Sequence, residues 1–276
     1  MSCDQRMPLE DSWSDVLGKA FRGQGCSVAE AADRSGLTES AVESLLGGCF
    51  NEADAAALAQ ALGLRVSPLL ELARGEYHPG QIRLPDGAAM FSTDWGGMTV
   101  HSYLIWDFRS GEAVAFDTGA DAGELLGFLR DQNLTLSLLL LTHAHGDHVF
   151  EADRIVEKTG AKVLIGEGEG MPGIATFAPG EEFSIGNLTI STRSTPGHSP
   201  GGITYVIGGL ARPLAIVGDA LFAGSMGGPN LSHEACLHGL RGEILSLAPE
   251  TILCPGHGPL TTVTLERDHN PFFGEG

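Results

Sequence analysis

The 276-residue chain predicts an α/β protein whose strand-rich body follows a small all-α helical domain. Three observations carry this expectation. Capped amphipathic segments punctuated by Gly fill residues 12–76, strand-like apolar runs recur from Met98 onward, and the Pro/Gly-rich stretch HPGQIRLPDG at 78–87 separates the two patterns. The expected domains are 1–80, helical, and 81–276, α/β.

Local chemistry justifies each element. Ser27 with Glu30 three residues on has capping-box spacing, so SVAEAADRSG reads as a helix. TESAVESLLGG repeats the pattern, with Thr38 capping, Gly47 stopping, and Ala41, Val42, Leu45 and Leu46 on one face. NEADAAALAQALGL and SPLLELARG continue it. Beyond Met98, MTVHSYLIW and EAVAFDTG read as strands, AGELLGFLRDQ as a helix and SLLLLTH as a buried strand. AKVLIG, the hairpin pair EEFSIG and NLTISTR, GITYVIG, LAIVGD and TILCPGH complete the strands, with helical segments around 149–159 and 233–248.

Composition narrows the function. With 42% hydrophobic residues the chain is a folding one, and its net charge of −19 repels phosphate backbones, so nucleic acid is an unfavourable partner. The cysteines, Cys3, Cys26, Cys49, Cys236 and Cys254, lack C-x-x-C spacing and read as reduced thiols. Charged residues crowd the first twenty positions where a secretory leader needs an apolar run, and the run Leu138–Leu141 is too short to span a bilayer. No membrane segment and a cytoplasmic address are expected.

The chemistry concentrates in THAHGDH, residues 142–148, which follows the apolar run SLLLL. His143, His145, Asp147 and His148 are ligand types that zinc or ferrous iron accepts, and a loop leaving a strand can fan them around one point. Three further strand ends each deliver one such residue into a Gly-rich turn: His198 in STPGHSPGG, Asp219 in IVGDALF and His257 in LCPGHGPL. One histidine after one strand is ordinarily structural. Three such sites beside a four-residue cluster point to a metal centre.

The ordered set FDTG, THAHGDH, PGHSPGG, GDALF and PGHGP, spread over about residues 88–273, resembles the metallo-β-lactamase superfamily and within it the glyoxalase II-like hydrolases. The resemblance implies an αββα sandwich of two mixed sheets with helices outside and two divalent ions, zinc first and iron or manganese as alternatives, in a cleft at one sheet edge. It implies that His143, His145 and His198 hold one ion, that Asp147, His148 and His257 hold the other, and that Asp219 bridges them. Asp117 of FDTG would orient a histidine ligand, and Asp147 would also act in catalysis, orienting a hydroxide shared by the ions for attack on an ester or thioester carbonyl. The expected partner is thus a small acyl thioester or ester.

Particular residues sharpen the resemblance. His145 stands where flavodiiron oxidoreductases carry Glu, and Asp219 where the antibiotic-hydrolysing branches lack a bridging carboxylate. Persulfide dioxygenases hold a single iron with positions matching His143, His198 and Asp219, and this remains an alternative. Gly228 occupies a position where many relatives place Arg, which weakens glutathione recognition and leaves the substrate-binding residues open. His78, His101, His233, His238 and His269 match no ligand position and read as surface or packing residues, with His233 nearest to an exception. Cys254 reads as a small buried side chain; Phe222 and Met226 read as either pocket or core.

Residues 12–76 also resemble a phage-repressor helix-turn-helix. A DNA reader needs basic or amide side chains on its second helix, whereas TESAVESLL carries Glu39 and Glu43 and no base. A helical bundle that covers the cleft or forms a homodimer is therefore expected ahead of a metabolite-sensing transcription regulator.

Overall fold

A computed structural model of the chain describes residues 6–273, so Cys3 lies outside the described residues. Five helices come first: α1 Trp13–Gly23, α2 Val28–Ser35, α3 Glu39–Leu46, α4 Glu52–Ala61 and α5 Val66–Ala73. Ser12 and Ser27 close capping boxes with Asp15 and Glu30, and Thr38 and Asn51 cap α3 and α4 through side-chain oxygens. Each satisfies backbone N–H groups that a first helical turn leaves without partners.

Two six-stranded mixed sheets follow. The first contains β1 Ala88–Trp95, β2 Met98–Trp106, β3 Glu112–Phe116, β4 Thr135–Leu141, β5 Lys162–Gly166 and β6 Ala175–Phe177, in that spatial order. Its first three strands are antiparallel and the rest parallel, with α6 Gly123–Asp131 crossing to β4, and α7 Gly146–Val149 and α8 Ala152–Thr159 crossing to β5. The second sheet draws on β7 Glu182–Ile185, β8 Leu188–Ser194, β9 Ile203–Gly208 and β10 Leu214–Gly218. A small ribbon, β11 Leu221–Phe222 with β12 Ser225–Met226, then leads to α9 His233–Gly239 and a π-helical turn, Leu240–Ile244. The chain closes with β13 Ile252–Pro255, β14 Thr261–Thr262 and α10 Val263–His269. The order β14-β13-β10-β9-β8-β7 makes β10 and β13 the one parallel pair of this sheet.

Period-two alternation distributes the strand residues between layers. Tyr103 and Ile105 of β2 enter the core between the sheets with Phe116, Leu140, Ile190, Tyr205 and Ile216, while Leu104 between them turns outward. That outer face packs on Leu125 and Leu129 of α6 and Ile155 of α8. On the far side, Ala215, Val217 and Leu253 share one apolar cluster with Val16, Leu17, Leu45, Leu58 and Leu69 of α1–α5. The result is the αββα sandwich, and the opening helices supply much of its second outer layer.

Two tyrosines tie the sheets together where the strands end. Tyr103 of the first sheet donates its hydroxyl to Pro255 O (2.6 Å), and Tyr205 of the second donates to Leu141 O (2.6 Å). Both are buried.

The structure departs from the sequence expectation at the start of the strands. Strand structure begins at Ala88 rather than Met98, because AAMFSTDW pairs along its whole length with β2, from Ala88 opposite Ile105 to Trp95 opposite Met98. Its mixed composition hides a strand that is largely half-exposed. The C-terminal stretch forms β14 and a helix capped by Thr262. Among the described residues no helix is long and apolar enough to cross a membrane.

Candidate metal centre

Strand ends from both sheets deliver the predicted residues to one place. The peptide leaving β4 carries His143 and His145, and the single turn α7 turns Asp147 and His148 back toward them. The loop from β8 to β9 brings His198, while the ends of β10 and β13 bring Asp219 and His257. Close backbone approach is needed there: a Cβ at Gly256 would lie 2.2 Å from Asp219 Oδ1 and 2.5 Å from His148 Cε1. Only glycine fits.

Two clusters result, His143, His145, His198 and Asp219 in one, and Asp147, His148 and His257 in the other, with the ligand atoms of each within 4.8 Å of one another. His145 Nδ1 is 3.0 Å from both His143 Nε2 and His198 Nε2. Asp219 touches both sets: Oδ2 is 3.5 Å from His198 Nε2 and 3.4 Å from His257 Nε2, and Oδ1 is 3.2 Å from His148 Nε2. Asp147 Oδ2 lies 3.2 Å from His257 Nε2.

The rings are aimed by their other nitrogens. His198 Nδ1 faces Gly228 O at 3.0 Å and His257 Nδ1 faces Thr99 O at 2.7 Å; a carbonyl only accepts, so each Nδ1 carries the proton. Thr142 Oγ1 donates to Asp117 Oδ2 (2.8 Å) and so accepts from His143 Nδ1 (3.0 Å). His148 Nδ1 lies 2.8 Å from Asp117 Oδ2, whose partner Oδ1 takes the Thr142 N–H at 2.7 Å. Asp117 holds this position with φ 53°, in the left-handed region that Asp tolerates better than most residues. Four rings thus present Nε2 inward, an arrangement characteristic of oriented metal ligands.

Electrostatics separates the histidines. Burial drives His143 well below its usual pKa and lowers His198, leaving both neutral. Burial opposes charge at His148 and His257 as well, but contacts with Asp219 and Asp117 raise the first well above normal, and contacts with Asp147 and Asp219 carry the second to about 10. Burial works against ionisation of Asp219 too, and His148 with His257 outweighs it, holding the carboxyl well below its usual range. Without a bound cation, the facing carboxylates thus favour a proton on His148 and on His257, which cation binding would displace.

The residues fit divalent cations. His148 Nε2 and Asp219 Oδ1 are buried and face each other at 3.2 Å without forming a hydrogen bond, and buried polar atoms in folded proteins are rarely left so. Three ring nitrogens at the His145 corner exceed what one shared proton can satisfy. A cation at each cluster answers both, and the donor set, imidazole and carboxylate without thiolate, suits zinc, iron or manganese.

The sequence profile of the metallo-beta-lactamase superfamily matches residues 95–257. The chain belongs to the metallo-β-lactamase superfamily. Among curated superfamily members it is 33% identical over 202 residues to the probable metallo-hydrolase YqgX of Bacillus subtilis, covering 64% of this chain and 94% of that one. It is 30% identical over 196 residues to the hydroxyacylglutathione hydrolase GloC of Haemophilus influenzae, covering 62% and 91%. A crystal structure of TTHA1623 in a di-iron-bound form is similar at 28% identity with a TM-score of 0.55, over 66% of this chain and 99% of that one.

The remaining histidines lie in neither cluster. His78 faces Met7 O (2.8 Å), His269 pairs with Glu71 (2.7 Å) and stacks on Tyr77, and His238 is exposed. His233, singled out from the sequence, packs against Phe272. His101 is fully buried between Ser92 and the carbonyl of Gly258, so it steadies the peptide after His257. Phe222 borders the centre, its ring 5.7 Å from that of His257, whereas Met226 belongs to the helical-side core. Cys254 is buried in the core between the sheets. Sequence reasoning passed over Glu10, half-buried beside Gly258, and Glu169, whose carboxylate binds backbone amides of two ligand loops.

Proposed function

We propose that the chain is a hydrolase that holds two divalent cations, zinc first, and cleaves a thioester or related acyl ester. The observation that carries this reading is Asp219, whose Oδ2 faces a histidine of each cluster while Oδ1 faces His148. Bound there, divalent cations lower the pKa of water from about 15.7 toward 7 and polarise a carbonyl.

The chain's own groups have separate tasks. Asp117, Thr142, Thr99 and Gly228 hold the imidazole rings. Asp147 is kept ionised mainly by His257 against the effect of burial, and its Oδ2 is the atom we assign to accept the proton of the attacking water and return it to the leaving thiolate or alkoxide. Trp95 and the exposed Phe150 meet edge to face at 5.2 Å, with Trp95 packed over Gly146, and offer an apolar rim for the acyl group. Gly228 spends its carbonyl on His198 and has no side chain with which to grip a tripeptide, so a thiol ester smaller than a glutathione conjugate is the favoured substrate.

A mononuclear iron dioxygenase would need only His143, His198 and Asp219, and would leave oriented His148 and His257 without a task. For the helical segment we propose a scaffolding role, because α3 turns Glu39 and Glu43 outward, where they repel phosphate.

The test is elemental analysis of protein purified without added metal, followed by hydrolysis of S-lactoylglutathione, simple thioesters and a β-lactam. Two ions per chain and thioester cleavage are expected, with both metal retention and activity lost in Asp219→Ala. One iron with oxygen uptake, or full activity in that variant, would remove the proposal.

A further inference from the structure

We propose that Glu169 is a positioning residue that locks together the loops delivering His143, His145 and His198. This rests on the metal-centre reading above. Glu169 Oε2 accepts from the N–H of Ala144 (2.8 Å), the residue between the two histidines of the β4 loop. Its Oε1 accepts from the N–H of Gly201 (2.7 Å), three residues beyond His198. One half-buried carboxylate therefore spans a ligand loop of each sheet.

The surrounding backbone is built for this contact. The segment after β5 runs against the His198 loop so closely that a Cβ at Gly201 would lie 2.3 Å from Glu167 O and 2.8 Å from Glu169 N. Across the same seam Ile203 N–H donates to Thr142 O (3.0 Å). The ring orientations of His143 and His198 are set within their own loops, by Thr142 and Gly228. What those tethers leave open is the spacing between the loops, and a carboxylate that accepts one amide from each fixes it with charge-assisted hydrogen bonds.

The consequence is selective. Weakening the clamp disturbs the cluster of His143, His145 and His198, whereas Asp147, His148 and His257 lie in the other cluster. Outer-shell partners of ligands typically contribute about 10–100-fold in metal affinity.

The experiment uses the full chain, freed of metal and titrated with cobalt(II), with visible absorption and a competing chelator as readouts. Glu169→Gln keeps one acceptor but turns an amide donor toward a backbone donor, and is expected to weaken one of two cobalt sites roughly tenfold and alter its spectrum alone; Glu169→Ala is expected to weaken it further, toward 100-fold. Glu167→Gln removes the same charge from an exposed neighbour and is expected to match wild type. Equal loss in Glu167→Gln, or no loss in Glu169→Gln with its circular dichroism intact, overturns the clamp. Hydrogen exchange on wild type gives an answer that needs no variant: the amides of Ala144 and Gly201 are expected to be protected, and rapid exchange at both overturns it. Failure of wild type to bind a second ion overturns the dinuclear reading instead, and the Glu169 comparison is then made on the single ion.

Discussion

Asp117→Ala is the most informative single change at the centre. The side chain is 2% exposed and receives the Thr142 N–H, the Thr142 hydroxyl and His148 Nδ1. Removing it leaves the amide and the imidazole donor buried without acceptors, at roughly 1–3 kcal/mol each. Alanine in the left-handed region adds about 1–2 kcal/mol, for a sum of about 3–8 kcal/mol against a typical total stability of about 5–15 kcal/mol. Asp117→Asn retains the turn and one good acceptor, so it should lose only about 1–3 kcal/mol while still weakening metal binding by roughly 10–100-fold. Urea unfolding of the metal-free variants measures the first quantity, and zinc competition with a chelator the second. If metal-free Asp117→Ala unfolds within about 1 kcal/mol of wild type, the carboxylate is not the hub described here.

Further outcomes follow from the same geometry. His257 titrates at about 10 in the folded chain against about 6.5 unfolded, so its contribution to metal-free stability is complete below about pH 6.5 and vanishes as pH rises through about 10. The melting temperature of chelator-treated protein should fall across that window, and zinc added at pH 7 in weak buffer should release protons from His148 and His257; a silent pH electrode would contradict the protonation assigned to them. Tyr103→Phe and Tyr205→Phe each strip a buried carbonyl of its inter-sheet donor and should each cost about 1–3 kcal/mol in urea unfolding. Burial holds the Cys236 thiol at about 11 and raises Cys254 well above its usual value, so at pH 8 a disulfide reagent should modify exposed Cys49 quickly and those two only after unfolding.

The residues that converge on the centre were legible because metal chemistry admits few side-chain types, and each stands in a glycine-rich turn directly after an apolar strand. His145, His198 and Asp219 are far apart in the chain; the strand-end pattern singles them out, and the resemblance to the superfamily implies that they meet at one edge. Glu169 escaped because an acid in GEGEG has the local appearance of an ordinary surface residue. Its meaning arises only where two remote loops bring Ala144 and Gly201 to its oxygens. For β1 the obstacle was exposure, since a partly wetted strand lacks the apolar run that announces its neighbours. The sequence likewise marks residues 12–76 as helical, with an apolar face read for α3, without naming the surface these helices cover.

That surface has a practical corollary. A chain trimmed to begin at Ala88 would retain every histidine of the centre and yet present Ala215, Val217 and Leu253 to water along the back of the sheet that carries Asp219 and His257. Such a fragment should clump rather than catalyse, and engineering or crystallisation efforts should treat the leading third as inseparable from the catalytic frame.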